Sequence, residues 1–278
     1  MPAPDAISAE KLSKLIGTPR CPTILDHRSA ALRAADPRLV PGARPLEDAQ
    51  TAPEALERLI ATLAGPVVTL CAEGHARSQG LAAILRSRGL AAEYLEGGHD
   101  GWCAAGLPLC HPGAITARDG QGRSLWVTRA RPKVDRIACP WLIRRFVDPR
   151  AVFLFVAPAE VLEVARLCAA MPFDVEDCFW SHRGEMCTFD TMLAEFGLRL
   201  PALVRLAVIV RGADTGRPDL APEAPGLLAA SLGLSRMYQD DLEQLEAGMA
   251  LYDAFYRWCR DATGETHNWP TNRPGGTG

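Results

Sequence analysis

The chain reads VVTLCAEGHARS over residues 67–78, and this stretch decides the fold of its N-terminal half. Residues 67–70 have the length and apolar character of a short buried strand, and a loop and a helical run capped by Ser78 follow at once. A cysteine at the carboxyl end of a parallel strand lies where open α/β sheets bind ligands. Backbone amides and the helix dipole stabilise an anion at that position. We therefore predict that Cys71 is a reactive thiolate rather than a structural cysteine.

Strands and helices alternate on both sides of this loop. Apolar runs at residues 23–25 and 92–95 predict two further strands, and segments 9–16, 53–63 and 79–88 have helical character. Strands that are separated by helices form a parallel sheet with helices on both faces. The N-terminal half is therefore predicted to be a doubly wound α/β domain.

The second half of the chain has fewer strand signals. Strands are predicted at residues 125–128 and 152–156, and helices at 138–146 and 158–169. Pro140 is compatible with the first of these helices only near its start. The remaining sequence reads as mainly helical, which indicates an α+β domain.

A segment rich in glycine and proline separates the two halves and is typical of a linker. The predicted division is a domain over residues 1–107, a linker over 108–124, a second domain over 125–263 and a poorly ordered tail over 264–278.

Composition and charge exclude several classes of protein. The 30 basic and 33 acidic residues give a net charge of −3, which argues against nucleic acid as a partner. We see no apolar stretch of membrane-spanning length and no signal-peptide pattern. The nine cysteines are an odd number without a C-x-x-C pair, so neither a disulfide scaffold nor a zinc ribbon is expected. Reduced thiols predict a cytoplasmic location.

Several motifs accompany the Cys71 loop. Asp26-x-Arg28 follows the first predicted strand, LVPGA occupies residues 39–43, and LEGGHDGW occupies residues 95–102. Together these motifs resemble the rhodanese family of sulfurtransferases over roughly residues 7–107. The resemblance implies a rhodanese-like parallel sheet, and Asp26 and Arg28 are interpreted as a structural ion pair that supports the site.

The resemblance also implies a reaction. In this family the loop cysteine takes a sulfane sulfur from a small anionic donor such as thiosulfate and passes it to a thiol or to a cyanide-like acceptor. Cys71 would carry the persulfide, Arg77 would attract the donor, and no cofactor would be required. The loop that would cradle the anion comprises Ala72, Glu73, Gly74, His75, Ala76 and Ser78.

Two departures from the usual rhodanese loop keep other functions open. The loop is one residue longer than the commonest form, and Ala72 stands where a basic residue usually follows the cysteine, with the acidic Glu73 next to it. The spacing Cys71-x5-Arg77 is that of cysteine-dependent phosphatases, in which the arginine binds phosphoryl oxygens bidentately. A loop that senses oxidants without catalysis is the third alternative.

A run of cationic residues opens the second domain. Its members are Arg131, Lys133, Arg136, Arg144 and Arg145. Such a run either forms an oxyanion site or is a solvated helix face whose arginines pair with acids. We expect an oxyanion patch, because few acidic residues lie nearby in sequence.

A second group of polar residues lies between residues 181 and 191. His182, Cys187 and Asp190 bring nitrogen, sulfur and oxygen ligands within nine positions, which suits a transition metal. The spacing matches no standard zinc motif. The alternative is local: Thr188 caps a helix and Asp190 lies in its first turn.

These two groups belong to a longer pattern. The pattern comprises VDRIA at 134–138, WLIRRF at 141–146, CTFDT at 187–191 and GMALYDA at 248–254. It resembles the C-terminal domain of the ChrB chromate-resistance proteins over roughly residues 125–262. The resemblance implies a role in chromate resistance, with chromate as a ligand. The family often has a histidine shortly before the aspartate that corresponds to Asp214, and this chain lacks it.

Overall fold

The computed structural model describes residues 5–265, which form two parallel β-sheets with helices packed against them. The strands are β1 (Ala6–Ile7), β2 (Thr23–Asp26), β3 (Ala43–Pro45), β4 (Val67–Leu70), β5 (Ala92–Leu95), β6 (Leu125–Arg129), β7 (Val152–Val156) and β8 (Met171–Pro172). The first sheet has the order β1-β5-β4-β2-β3, and the second has the order β7-β6-β8. All neighbouring strands in both sheets run parallel.

The helices follow the strands in the N-terminal half and dominate the C-terminal half. They are α1 (Ala9–Leu15), α2 (Ala30–Ala35), α3 (Pro53–Ile60), α4 (Ala76–Ser87), α5 (Gly98–Ala104), α6 (Val134–Leu142), α7 (Val161–Leu167), α8 (Thr188–Glu195), α9 (Pro201–Asp214), α10 (Ala224–Met237) and α11 (Asp241–Asp261). Over residues 5–265, no helix has the length and apolarity needed to span a bilayer. The predicted class, a parallel doubly wound sheet followed by a mainly helical α+β part, is confirmed.

The first sheet is apolar on both faces, because successive residues of a strand point to opposite sides. Leu25 of β2 and Val67 of β4 belong to a core that α3 and α4 complete. Ile24 and Val68, their neighbours in sequence, face the other way and join a larger core. That larger core contains α1 and α5 and continues without a break into the C-terminal helices.

Aromatic packing organises the centre of the C-terminal half. Trp141 of α6 is fully buried, and its ring centroid lies 5.5 Å from that of Tyr256 and 5.8 Å from that of Phe146. Phe189 and Tyr252 complete the group at 6.4 and 6.2 Å. This cluster fixes α6, α8 and α11 against one another, since large aromatic rings contribute much of the apolar area in a core.

The prediction for the first helix of this half was wrong in its position. Helix α6 begins at Val134, so Pro140 lies in its interior, and a π-helical turn follows over Ile143–Val147. The amide of Asp148 donates to the Ile143 carbonyl at 2.8 Å, which closes that wider turn. Burial of nearly every residue of α6 stabilises the helix against the hydrogen bond that the proline removes.

The predicted linker is packed against both halves. Leu39 and Cys110 exchange backbone hydrogen bonds at 2.9 and 2.8 Å, and the amide of His111 donates to the Phe196 carbonyl at 2.9 Å. Cys110 is buried. The segment therefore joins the two halves as part of their shared structure. Of the predicted tail, residues 266–278 lie outside the described residues.

A close contact at Gly17 offers a test of the shared core. Gly17 has φ +77°, and a Cβ there would lie 2.4 Å from Phe146 Cζ and 2.8 Å from Tyr256 Cε1. Gly65 has φ +76° with open space around it. We expect Gly17→Ala to lower the free energy of unfolding by about 1–3 kcal/mol more than Gly65→Ala, because only the first adds overpacking to backbone strain. Urea denaturation measures both, and equal losses would contradict a tight junction between the halves.

Candidate functional site

Cys71 follows the carboxyl end of β4, the central strand of the first sheet. Its side chain is largely buried, with 6% of its surface exposed. The Sγ atom lies 3.2 Å from the hydroxyl of Ser78, which is itself buried. The structure therefore brings Cys71 and Ser78 together at the start of α4.

The predicted cap of this helix is shifted. Helix α4 begins at Ala76 with His75 at its N-cap, so Ser78 is a helical residue of the first turn. Its hydroxyl contacts the Cys71 sulfur and donates to the His75 carbonyl at 3.2 Å. Ser78 thus acts on the cysteine and on the loop, while the first amides of α4 remain free of helical partners.

Helix α5 holds the Cys71 loop by donating hydrogen bonds to carbonyl groups of the loop. The amides of His99 and Asp100 donate to the carbonyls of Cys71 and Ala72, each at 2.9 Å. Because a trans peptide points its N–H opposite to its C=O, the amides of residues 72 and 73 are directed away from α5. Over the described part of the chain, the amides of residues 72–75 have no hydrogen-bond acceptor. These donors are available to an anion beside the sulfur.

Two glycines allow the Cys71 loop and the start of α5 to approach each other closely. A Cβ on Gly98 would lie 2.4 Å from the carbonyl oxygens of both Cys71 and Ala72. A Cβ on Gly74 would lie 2.6 Å from the Leu95 carbonyl, and both glycines have positive φ. The motif at residues 95–102 therefore sets the shape of the cysteine loop, since a side chain at either position would push the backbones apart.

Arg77, predicted to attract an anionic donor, is engaged outside the loop. Its Nε donates to the His27 carbonyl at 2.9 Å, and its Nη2 pairs with Asp48. Hydrogen bonding to Arg77 holds the pKa of Asp48 below its usual range. The charge of Arg77 is therefore largely compensated, so the loop amides are the freer anion donors.

The remaining predicted loop residues are at the surface. His75 Nδ1 lies 3.0 Å from a carboxylate oxygen of Glu73, and both side chains are well exposed. The Glu73 carboxylate and the His75 ring contact each other at the surface, and neither side chain enters the cysteine site.

Asp26 and Arg28 form the ion pair that the sequence predicted, and it is fully buried. The guanidinium Nε contacts Oδ1 at 3.1 Å and Oδ2 at 2.9 Å, and Nη2 contacts Oδ2 at 2.7 Å. Its other N–H groups donate to the carbonyls of Asp36 and Arg38 at 3.0 and 2.8 Å. Arg28 therefore fastens the segment after β2 to the sheet that carries Cys71.

This pair should contribute to stability far more than an exposed pair. Arg28→Met should lower the free energy of unfolding by about 3–5 kcal/mol, because it leaves Asp26 charged, buried and unpaired. The control is Lys14→Met, which removes an exposed pair with Glu10 (2.6 Å) and should change the free energy of unfolding little. Chemical denaturation of both variants is the measurement. A loss for Arg28→Met no larger than that of the control would refute this role.

The predicted oxyanion patch is not formed as a set of free cations. Lys133 is exposed at the N-cap of α6, and the four arginines are engaged within the protein. Their partners are the carbonyls of Tyr238 and Gln239 for Arg131, and the carboxylates of Asp174 for Arg136, Glu246 for Arg144 and Asp253 for Arg145. The acids come from elements distant in sequence, which is why the local sequence suggested an acid-poor patch.

The metal ligands predicted around His182 are also redistributed. Cys187 is the N-cap of α8, and Asp190 accepts from the Cys187 amide at 3.1 Å and pairs with Arg211 at 3.3 Å. Thr188 is therefore the first residue of the helix rather than its cap. Burial, and then the charge of Asp135, raises the pKa of Cys187 well above its usual value, so a metal thiolate is disfavoured there.

His182 instead meets three other carboxylates. Its Nε2 lies 3.2 Å from Asp214, 3.4 Å from Asp174 and 3.6 Å from Asp135. Polar contacts with Asp174 and Asp214 raise the pKa of His182 to about 10. Burial, with Asp214 and Asp174 nearby, raises the pKa of Asp135 well above its usual value. Sequence reasoning missed the three acids, although Asp135 and Asp214 lie in motifs it had singled out.

The N-terminal half is a sheet of five parallel strands with a cysteine loop at the carboxyl end of the central one. Residues 126–259 match the family model of the ChrB C-terminal domain. Protein ChrB of Cupriavidus metallidurans is 40% identical over 158 residues, which covers 54% of this chain and 46% of the relative. The chain thus spans about half the length of this curated relative.

Solved structures also resemble part of the chain. A rhodanese-related protein from Thermoplasma volcanium is 22% identical and covers 37% of this chain and 95% of its own, with a TM-score of 0.31. Thiosulfate sulfurtransferase from Pseudomonas aeruginosa is 29% identical and covers 39% and 19%, with a TM-score of 0.31. An As-Sb reductase from Leishmania major is 21% identical and covers 36% and 77%, with a TM-score of 0.32.

Proposed function

We propose that this protein is a sulfurtransferase that carries a sulfane sulfur as a persulfide on Cys71. The observation that supports the proposal is the run of amides at residues 72–75, directly after Cys71, that have no acceptor among residues 5–265. A persulfide and its anionic donor both need fixed positive dipoles, and oriented amides supply them without reorganisation. The Ser78 hydroxyl lies 3.2 Å from Sγ, so its single proton can turn from the His75 carbonyl to the Cys71 thiolate once the thiol ionises.

The reaction proceeds in two displacements. The Cys71 thiolate attacks the outer sulfur of thiosulfate, a new S–S bond forms, and the S–S bond of the donor breaks to release sulfite. Cyanide or a thiolate then attacks the outer sulfur of the persulfide, takes it, and leaves the Cys71 thiolate. Each step is a transfer between a nucleophile and a sulfur atom, so no cofactor takes part.

The partners of Arg77 favour sulfur transfer over phosphatase chemistry. A phosphatase of this spacing needs its arginine to bind phosphoryl oxygens with two N–H groups. Here Nε and Nη2 are used by the His27 carbonyl and by Asp48. A sulfurtransferase needs less from this residue, since the amides contact the persulfide.

The ChrB-type half suggests what the sulfur chemistry serves. We propose that the protein acts in resistance to chromate, because the family of this domain is associated with that stress. Chromate is a divalent tetrahedral anion like sulfate, and it is of a size that loop amides can bind. We also place the protein in the cytoplasm, since all nine cysteines are free thiols.

The proposal predicts a strict dependence on Cys71. Cys71→Ser should abolish thiosulfate:cyanide sulfur transfer, because the serine hydroxyl cannot form the persulfide. Cys168→Ser removes an exposed thiol elsewhere and should leave the rate unchanged. Thiocyanate formation and aryl-phosphate hydrolysis should be measured side by side. Cys71-dependent hydrolysis without sulfur transfer would establish the phosphatase instead, and neither activity would leave a sensor.

A second variant tests the role of the Arg77–Asp48 pair. Asp48→Asn removes a negative charge and frees the guanidinium, so the KM for thiosulfate should fall by about two- to fivefold while kcat is unchanged. Glu57→Gln, which breaks an exposed pair with Arg88, is the matched control. Steady-state kinetics at low salt give both constants. An unchanged KM would show that Arg77 does not attract the donor.

A further inference from the structure

The contact region of α6, α9 and the loops before α8 gathers acids around one imidazole. Asp135 comes from the first turn of α6, Asp214 from the last turn of α9, and His182 from the loop between β8 and α8. We propose that Asp135, His182 and Asp214 bind one divalent first-row transition-metal ion. This site is separate from the cysteine loop and does not depend on sulfur transfer.

The spacing of the three side chains fits shared coordination. The donor atoms of Asp135, His182 and Asp214 all lie within 4.8 Å of one another. Metal–ligand bonds of about 2.0–2.2 Å place neighbouring ligand atoms roughly 3.0–3.5 Å apart. The distances from Nε2 to Asp214 and Asp135, 3.2 and 3.6 Å, are close to that separation. A single N–H on this nitrogen can point well at one acceptor only, whereas a cation attracts all of them.

An unsatisfied atom gives independent support. Asp135 is fully buried, and its Oδ2 accepts from the Thr188 amide at 2.6 Å on the side that faces His182. Its Oδ1 is buried and has no hydrogen-bond partner among residues 5–265. A buried carboxylate oxygen without a partner is costly, and a coordinated cation would remove that cost.

Asp174 lies beside the site but is already satisfied. It accepts from the Thr188 hydroxyl at 3.1 Å and from Arg129 at 2.9 Å, and it pairs with Arg136 at 3.3 Å. We therefore assign it the role of positioning His182 rather than that of a ligand.

The donor set selects the class of ion. One imidazole nitrogen and two carboxylate oxygens suit Mn²⁺, Fe²⁺, Co²⁺ or Zn²⁺, whereas Ca²⁺ takes oxygen donors and Cu⁺ takes sulfur. His182 is 40% exposed, so one side of the site faces solvent. Three protein ligands with an open position can also accept water or an oxyanion.

Calorimetry with the full chain tests the site directly. The protein is stripped with a chelator and titrated with ZnCl₂ and, separately, with MnCl₂. We expect one ion per chain, and at least a tenfold loss of affinity in both His182→Gln and Asp214→Asn. Asp190→Asn, at the acid that pairs with Arg211, and Cys71→Ser should bind as the wild type does.

The variants distinguish coordination by these three side chains from metal binding elsewhere in the chain. Circular dichroism identifies any variant that fails to fold, and the exposed position of His182 makes His182→Gln the variant that decides. The proposal is overturned if neither ion binds, if binding persists in His182→Gln, or if Cys71→Ser removes it. Because metal binding is the readout, failure of sulfur transfer would leave the result unaffected.

Discussion

One apolar core runs through both halves of the chain, and the elements that carry the cysteine loop and the buried charges pack against it. Ile24 and Val68 of the first sheet belong to the same buried cluster as Trp141 of α6. Burial of apolar area is the main favourable term in folding, so the sheet gains from the C-terminal helices on its second face. The cysteine loop therefore lies at the end of a sheet that is covered on both sides and rigidly held.

Charges inside this core are compensated wherever they are structural. Asp26 is matched by Arg28. Asp253 accepts from the Trp141 indole at 2.8 Å and from Arg145 at 2.7 Å. Asp135 differs from both, because its contact with His182 is longer, at 3.6 Å, and its buried Oδ1 has no hydrogen-bond partner among residues 5–265. A protein that balances its other buried acids so fully retains this exception for a reason, and a bound cation supplies one.

Local sequence patterns predicted the parts of the fold that local physics determines. Strands β4, β5 and β7 have the predicted bounds, since each is an apolar run between turn residues. Strands β1 and β3 were not predicted, because a strand of two or three residues has no periodicity to detect. The interior position of Pro140 in α6 was not predicted, because tertiary burial outweighs helix propensity in this helix.

Functional residues followed the same rule. The position of the Cys71 loop could be predicted, because the strand, loop and helix that shape it are consecutive. The proximity of Asp135, His182 and Asp214 could not be predicted. Asp135 and Asp214 are far apart in sequence and meet only when α6 packs on α9. The arginines were misjudged for the same reason: the acids that neutralise Arg144 and Arg145 come from α11.

The contacts of Arg77 and Glu73 affect how an oxyanion would be recognised at the cysteine. Arg77 is paired with Asp48, and Glu73 adds an acidic side chain to the loop, so little net positive charge faces an incoming anion. Long-range attraction of an anion is then weak, and binding depends on amide hydrogen bonds that act at short range and with fixed direction. Such a site selects by size and geometry more than by charge. It therefore suits a compact sulfur-containing or tetrahedral anion. The residue immediately after Cys71 is not basic, which is consistent with recognition by amide hydrogen bonds.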